Sequence, residues 1–336
     1  MRMRFLGNSG VKVSELCFGA MTFGGRGYWK SIGEVEQKEA NELVSIALDG
    51  GINFFDTADV YSEGRAEEIL GKALANKRKD IILATKVRGR VGNGPNDVGL
   101  SKLHIIEGCN ASLKRLGTDY IDLYQIHSFD PFTPLDETLR ALDDLVHQGK
   151  VRYIGVSNYT GWQLMKALHI SEKYNLEKFI TLQAYYSLVG RDLENELIPL
   201  SLDQKLGILV WSPLAGGFLT GKYRRGQARP EGARRSDPNN QFLPIDEEKG
   251  FDIVDELDKI AKNHNASIAQ TALNYLLQKP AITSVIIGAK KPDQLKDNLK
   301  TVEWKLTEEE MNRLDEISKP QLVYPYWMLE RTVQDR

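Results

Sequence analysis

The chain has 336 residues, 41% hydrophobic and 27% charged, the balance of an ordinary globular protein. Its 44 Lys and Arg against 46 Asp and Glu leave a net charge of −2, which argues against a protein that grips a phosphate backbone. No run of about 18 apolar residues is present, and the opening MRMRFLGNSG lacks the apolar centre of a secretory leader. The two cysteines, Cys17 and Cys109, match no metal or redox spacing. A reducing, cytoplasmic location without a metal, nucleic-acid or membrane partner is the expectation.

Taken in chain order, short β-rich apolar runs fall at 16–21, 52–57, 81–86, 121–127, 151–157, 179–183, 208–211 and 283–287. Stretches with helical periodicity alternate with them at 35–49, 66–75, 103–115, 135–147, 160–174, 193–204, 251–263 and 292–299. Strand–helix alternation predicts a parallel sheet. Runs that are apolar almost throughout predict strands covered on both faces, and eight such units predict a closed (β/α)8 TIM barrel of the α/β class. The whole chain, 1–336, reads as one such domain, with an open doubly wound sheet as the rival.

Additions flank the units. Residues 5–18 read as a hairpin with Gly-Asn-Ser-Gly at 7–10 as its turn, placed to plug the N-terminal end of the barrel. Segments 88–99 and 223–244 are long, polar and rich in Gly, Pro and Arg, as binding loops or lids are. An additional helix is expected at 266–278, and another at 306–317, where Thr307 precedes three glutamates. The tail 320–336 carries Tyr324, Tyr326 and Trp327, which are costly to leave in water.

In a barrel of this kind the chemistry sits at the C-terminal ends of the strands. The second run ends on Asp56, with Tyr61 five residues on; the third ends on Lys86 and the fourth on His127. The fifth ends on Ser157-Asn158, the sixth on Gln183 and the seventh on Trp211-Ser212. Singly, each has an ordinary explanation: a loop cap, a snorkelling lysine, a core histidine, a packed aromatic. Together at one height they make chemical sense. A tyrosine ionises near about pH 10, too high for easy proton exchange at neutrality. A nearby ammonium lowers that value, a carboxylate keeps the ammonium charged and in place, and a histidine can orient a carbonyl.

The segments FDTADVYSEGRAEEILGKAL (55–74), ATK (84–86), DLYQIH (122–127), VRYIGVSN (151–158), VWSPLAGGFLTGKY (210–223) and IIGAKKPDQLKDNL (286–299) resemble the aldo-keto reductase superfamily, in order, from about residue 4 to about 318. The resemblance implies a barrel that binds NADP(H) without a dinucleotide fold and transfers hydride reversibly to aldehydes or ketones. Asp56, Tyr61, Lys86 and His127 match the family's catalytic tetrad, with Tyr61 as proton donor. Asp56 also borders the cofactor. Ser157, Asn158 and Gln183 match residues that hold the nicotinamide carboxamide, and Trp211 the aromatic that stacks on its ring. Ser212, Pro213, Leu214, Gly216 and Lys222 match the pyrophosphate loop, and Gly19, Ala20 and Met21 the ribose side. Gly288, Lys290, Gln294, Asp297 and Asn298 match the adenosine site. One family branch has Lys-Ser and then Arg where this chain has Gly288-Ala289 and Gln294, so Lys290 and Lys291 must supply the charge for a 2′-phosphate. Tyr28, Trp29 and Phe129, with Tyr61 and His127, are the expected substrate wall, to which the tail could add Tyr326 and Trp327. The resemblance leaves open an alcohol or sugar dehydrogenase, or a nucleotide-sensing regulatory subunit like the potassium-channel β subunits. The absence of an inactivating N-terminal extension is expected to favour the catalyst.

Overall fold

The computed structural model describes residues 1–231, 233–236 and 243–333. A short antiparallel hairpin, β1 (Met3–Phe5) with β2 (Lys12–Ser14), precedes eight parallel strands. These are β3 (Leu16–Gly19), β4 (Phe54–Asp56), β5 (Ile82–Val87), β6 (Ile121–Ile126), β7 (Val151–Ser157), β8 (Thr181–Tyr185), β9 (Gly207–Trp211) and β10 (Ile282–Ile287). They close in chain order, with β10 paired to both β9 and β3, which excludes the open sheet. Each expected run supplies one strand. Their nearly uninterrupted burial explains why their sequences do not alternate.

The outer ring consists of α1 (Gln37–Asp49), α2 (Arg65–Leu74), α3 (Lys102–Leu116), α4 (Leu135–His147), α5 (Gly161–Tyr174), α6 (Leu197–Asp203), α7 (Glu247–Asn263), α8 (Ile268–Leu277) and α9 (Pro292–Leu299). Helices α10 (Glu308–Ile317) and α11 (Tyr326–Val333) follow. Thr307 and Glu310 form a capping box at the start of α10, as the sequence leads one to expect. The helix expected at 193–204 divides into a 3-10 turn at Asp192–Glu194 and α6. Pro199 lacks the N–H of a helix interior but fits the first turn of α6.

The hairpin is shorter than expected, 3–14 rather than 5–18, because Leu16–Phe18 pairs with β10 instead of turning back on β1. Its tip still plugs the barrel. Leu6 and Val13, both fully buried, pack with Cys17, Phe54, Ala84, Leu123 and Leu209 to form the floor. Glu15, completely buried, anchors the hairpin through Arg2 and Arg4 at 2.8 and 3.0 Å. In the tail, Tyr324 and Trp327 remain exposed and pack on each other with ring centroids 6.3 Å apart. No helix among the described residues is long and apolar enough to cross a membrane.

Candidate active site

Strand register brings the polar strand ends to one level. Asp56 is aligned with Ala84 on β5, Lys86 with Gln125 on β6, and Ser157 with Gln183 on β8. Lys86 is fully buried. Its Nζ donates to Asp56 Oδ1 at 2.5 Å, to the Thr57 carbonyl at 2.8 Å and to the Tyr61 hydroxyl at 3.3 Å. Tyr61 comes back over the barrel on a 3-10 turn whose Ser62, Glu63 and Gly64 all take positive φ. Ser62 Oγ pins that turn to the Phe23 carbonyl at 2.7 Å. The His127 ring stands 5.7 Å from the Tyr61 ring, at 78° to it. The four residues expected to act together are thus brought together.

Two amides complete the cluster. Asp56 Oδ2 accepts from Gln125 Nε2 at 3.0 Å and from Gln183 Nε2 at 2.9 Å, and Gln183 also donates to Gln125 Oε1 at 3.2 Å. Sequence reasoning missed Gln125. The available signal was a polar residue two positions before His127, on the same face of the strand. Gly155 leaves the room this amide needs: a Cβ there would lie 2.3 Å from Thr181 Oγ1 and 3.2 Å from Gln125 Cγ.

Electrostatics in the cluster follow from burial. Burial opposes the Lys86 charge, but the Asp56 carboxylate and the Tyr61 hydroxyl outweigh it and hold the ammonium above the ordinary lysine range. For Tyr61 the balance goes the other way. Lys86 pulls its pKa down as expected, yet burial, aided by Asp56, leaves the phenol above the ordinary tyrosine range. It is a protonated donor at neutral pH. Burial, then the positive charges of Lys86 and Arg88, push His127 down to about 3, so its imidazole is neutral at neutral pH. Asp59, two residues before Tyr61, is buried with both carboxylate oxygens unpartnered. Burial and the neighbouring Glu67 raise its pKa well above the carboxylate range.

The remaining predicted residues divide between the mouth and the scaffold. Ser157 Oγ donates to the Gln183 carbonyl at 2.9 Å. Asn158, at φ 54°, is a clamp: its Nδ2 donates to the His127 carbonyl at 2.9 Å, and its Oδ1 accepts from Trp211 Nε1 at 3.1 Å. The Trp211 indole also packs on Tyr185, 5.2 Å between centroids. Beyond it, Ser212, Ala215, Gly216 and Gly217 all have positive φ, in a loop through Pro213 and Leu214 that bends back on itself. The Lys222 ammonium reaches Gly217, within 2.8 Å of where a Cβ would stand. On the opposite side, Ala20 N donates to the Asp56 carbonyl at 2.9 Å, placing Gly19, Ala20 and Met21 beside the cluster. Past β10, Lys290 N donates to Gln294 Oε1 at 3.0 Å and closes the turn into α9. Asp297 faces inward: its carboxylate accepts from Ser267 Oγ at 2.6 Å and Gln270 Nε2 at 2.7 Å and ties α9 to α8. Asn298 is buried in the same helix.

Of the expected substrate wall, Trp29 lies 4.8 Å from the Tyr61 ring, with Tyr28 edge-on behind it at 5.5 Å. Phe129 packs against Tyr159 and Trp162 at the start of α5, at 5.3 and 6.0 Å. Loop 88–99 is closed on itself, with Arg90 donating to the Gly92 and Gly94 carbonyls and Asp97 accepting from Gly94 N. The described part of loop 223–244 is stitched to α7 through Arg225, which binds Glu248 and Asp252, and Arg229, which binds Glu247. Its residues 232 and 237–242 lie outside the described residues.

Comparison with known proteins agrees with this geometry. The model of the Aldo/keto reductase family matches residues 15–319. The uncharacterized oxidoreductase YrpG of Bacillus subtilis is 39% identical over 328 residues, covering 94% of this chain and 96% of that protein. The versiconal hemiacetal acetate reductase of Aspergillus parasiticus is 35% identical, covering 95% and 98%. A Schizosaccharomyces pombe protein provisionally named a voltage-gated potassium channel subunit beta is 40% identical, covering 94% and 92%. With a family match across nearly the whole barrel and relatives of this similarity along its full length, the chain belongs to the aldo/keto reductase family of oxidoreductases.

Proposed function

We propose that this protein is an NADPH-dependent reductase of aldehydes or ketones, with Tyr61 as the proton donor. The observation that carries the reading is the buried Asp56–Lys86 pair, whose ammonium also donates to the Tyr61 hydroxyl beside a neutral His127. A carbonyl oxygen seated between Tyr61 and His127 would accept a hydrogen bond from each, if the histidine presents an N–H there. Tyr61 would then pass its proton to that oxygen, and Lys86 would stabilise the phenolate left behind. Trp29 shields the phenol from water. The bound cofactor would supply the hydride.

The donor set suits a dinucleotide. Both N–H groups of the Gln183 amide are engaged, which leaves its carbonyl oxygen for a carboxamide, beside Ser157 and Asn158. Trp211, held by Asn158, is the aromatic proposed to meet the nicotinamide ring. The Ser212–Gly216 loop and Lys222 suit a pyrophosphate, since positive φ at Ser212, Ala215 and Gly216 makes a tight bend whose small residues let a phosphate approach the backbone. At Gly288 a Cβ would meet nothing nearer than the Gly19 carbonyl at 3.6 Å, so the bare backbone there leaves space for a ligand. Lys290, Lys291 and Gln294 at the start of α9 are the candidates for a 2′-phosphate, with the helix N-terminus adding its own attraction. The direction of the reaction follows cofactor ratio, so alcohol oxidation is the same chemistry run backwards. The relatives named as channel subunits favour a second reading, a nucleotide-sensing partner. Stoichiometric NADPH oxidation with slow release, against sustained turnover on a carbonyl panel, separates the two.

Tyr61→Phe keeps the ring and removes the donor. Its expected effect is a loss of about 10²–10⁴-fold in carbonyl reduction, with NADPH affinity nearly unchanged in a fluorescence titration. Wild-type turnover in that variant would overturn the assignment.

The pH profile tests the same donor differently. Reduction needs the phenol protonated, so activity is lost as pH rises through the Tyr61 pKa, which lies above the ordinary tyrosine range. For a neutral aldehyde kcat/KM should stay level from about pH 6 to about pH 9. A limb near about pH 6.5 that disappears in His127→Gln would contradict the neutral histidine.

Cofactor choice is read by titrating NADPH and NADH into Lys290→Ala. A lost charged hydrogen bond should weaken NADPH by about one to two decades and leave NADH little changed. Equal weakening of both would remove Lys290 from the 2′-phosphate.

A further inference from the structure

The mouth of the barrel carries one strong charge that carbonyl reduction as derived above does not use. Arg88 stands two residues past Lys86, where β5 gives way to loop 88–99, and its backbone takes a φ of 132°. Side chains rarely adopt that conformation, and it persists only where the surroundings over-determine it. Here they do. The Val87 carbonyl accepts from His127 N at 2.9 Å, and the Arg88 carbonyl accepts from Gly99 N at 3.0 Å. The chain is thereby clamped on both sides of the arginine.

The side chain held in this way is half-buried, and its Nε is buried without a hydrogen-bond partner. Among the described residues the guanidinium forms no ion pair. Its charge acts on Asp130, but that carboxylate is already committed. Its Oδ2 accepts from Leu100 N at 2.8 Å and Thr133 Oγ1 at 2.7 Å, and its Oδ1 accepts from Phe132 N at 3.0 Å. The charge of Arg88 also disfavours protonation of His127. A partly buried arginine is ordinarily paired, because withdrawing a charge from water without a partner is costly. An unpaired one at the strand end two residues past Lys86 is a site for an anion that arrives with the substrate.

We infer that Arg88 selects aldehydes or ketones that carry a carboxylate, receiving that group in its planar fork while the carbonyl oxygen lies between Tyr61 and His127. The guanidinium fork matches a carboxylate with two parallel hydrogen bonds, which an ammonium does not reproduce. Trp29 beside Tyr61 gives the flat apolar body between the two groups a surface to lie on. The inference rests on the reductase reading and adds the substrate class to it.

The test compares two aldehydes of one shape and different charge, 4-formylbenzoate and 4-formylbenzamide, using the full chain with NADPH. Wild type should show the higher kcat/KM on the benzoate, a preference that shrinks as salt is raised. In Arg88→Gln the benzoate-to-benzamide ratio of kcat/KM should fall by about ten- to a hundredfold, mainly through KM on the benzoate. Arg88→Lys should recover only part of it, because it keeps the charge and loses the fork. Equal losses on both aldehydes, the result for an arginine that merely braces loop 88–99, would overturn the inference. So would a wild type indifferent to the carboxylate. If wild type reduces neither these aldehydes nor any neutral carbonyl, the reductase reading itself falls and takes this one with it.

Discussion

The contact between Lys86 and Asp56 is the constraint on which the rest of the site depends. An ammonium and a carboxylate withdrawn from water cost more than they return unless both are fully hydrogen-bonded. Here both are. Lys86 Nζ has three acceptors, and the second oxygen of Asp56 takes donors from Gln125 and Gln183. The pair therefore fixes β4, β5, β6 and β8 to one another at a single level. Removing either partner alone would leave a buried charge, at a cost of about 3–5 kcal/mol. Tyr61 is drawn into this arrangement because its hydroxyl is one of the three acceptors, and the left-handed turn at Ser62–Gly64 makes that reach possible.

The barrel supplies what a buried pair needs, namely rigid walls and a dry interior. Below the pair, Leu6 and Val13 of the hairpin close the floor among side chains from five barrel strands. Above it, Trp29 covers Tyr61. To one side, Asn158 joins the His127 backbone to the Trp211 indole, so that the residue proposed to orient the carbonyl and the proposed nicotinamide platform are held by one amide. The same burial settles the protonation states. It keeps the phenol protonated and the imidazole neutral, the states required of a proton donor and a hydrogen-bonding partner.

Much of this was legible in the chain. The barrel strands are readable because the second to seventh apolar runs each end on a polar residue at the mouth, or in Trp211-Ser212, and Asp56, Lys86, His127 and Gln183 stand out as such endings. Gln125 does not, since it lies inside the run DLYQIH and reads as an isolated polar residue until the register aligns it with Lys86. The sign of the Tyr61 shift was also out of reach. Sequence shows that a lysine is near in the fold's pattern, but not how completely the phenol is buried. Leu16–Phe18 fits a hairpin arm and a barrel strand equally well, and only the pairing with β10 decides. Sequence places Asp297 near the start of α9 but does not show its bonds to Ser267 and Gln270, which tie that helix to α8. The break before α6 does not show in the helical periodicity of 193–204, which runs through it; Pro199 is the residue there that suits a first turn better than a helix interior. An unpaired Arg88 cannot be read from sequence, because pairing is a property of the folded mouth.

The most direct test of the central claim is single-turnover reduction of a neutral aldehyde by Lys86→Met, with NADPH binding followed by fluorescence and folding by circular dichroism. Methionine approximates the lysine stem and removes the charge. If the buried pair governs the Tyr61 proton, the variant should bind NADPH nearly as wild type does and keep its fold with reduced stability. Its hydride-transfer step should be slower by about 10²–10⁴-fold. A folded Lys86→Met protein that reduces the aldehyde at close to the wild-type rate would contradict the account.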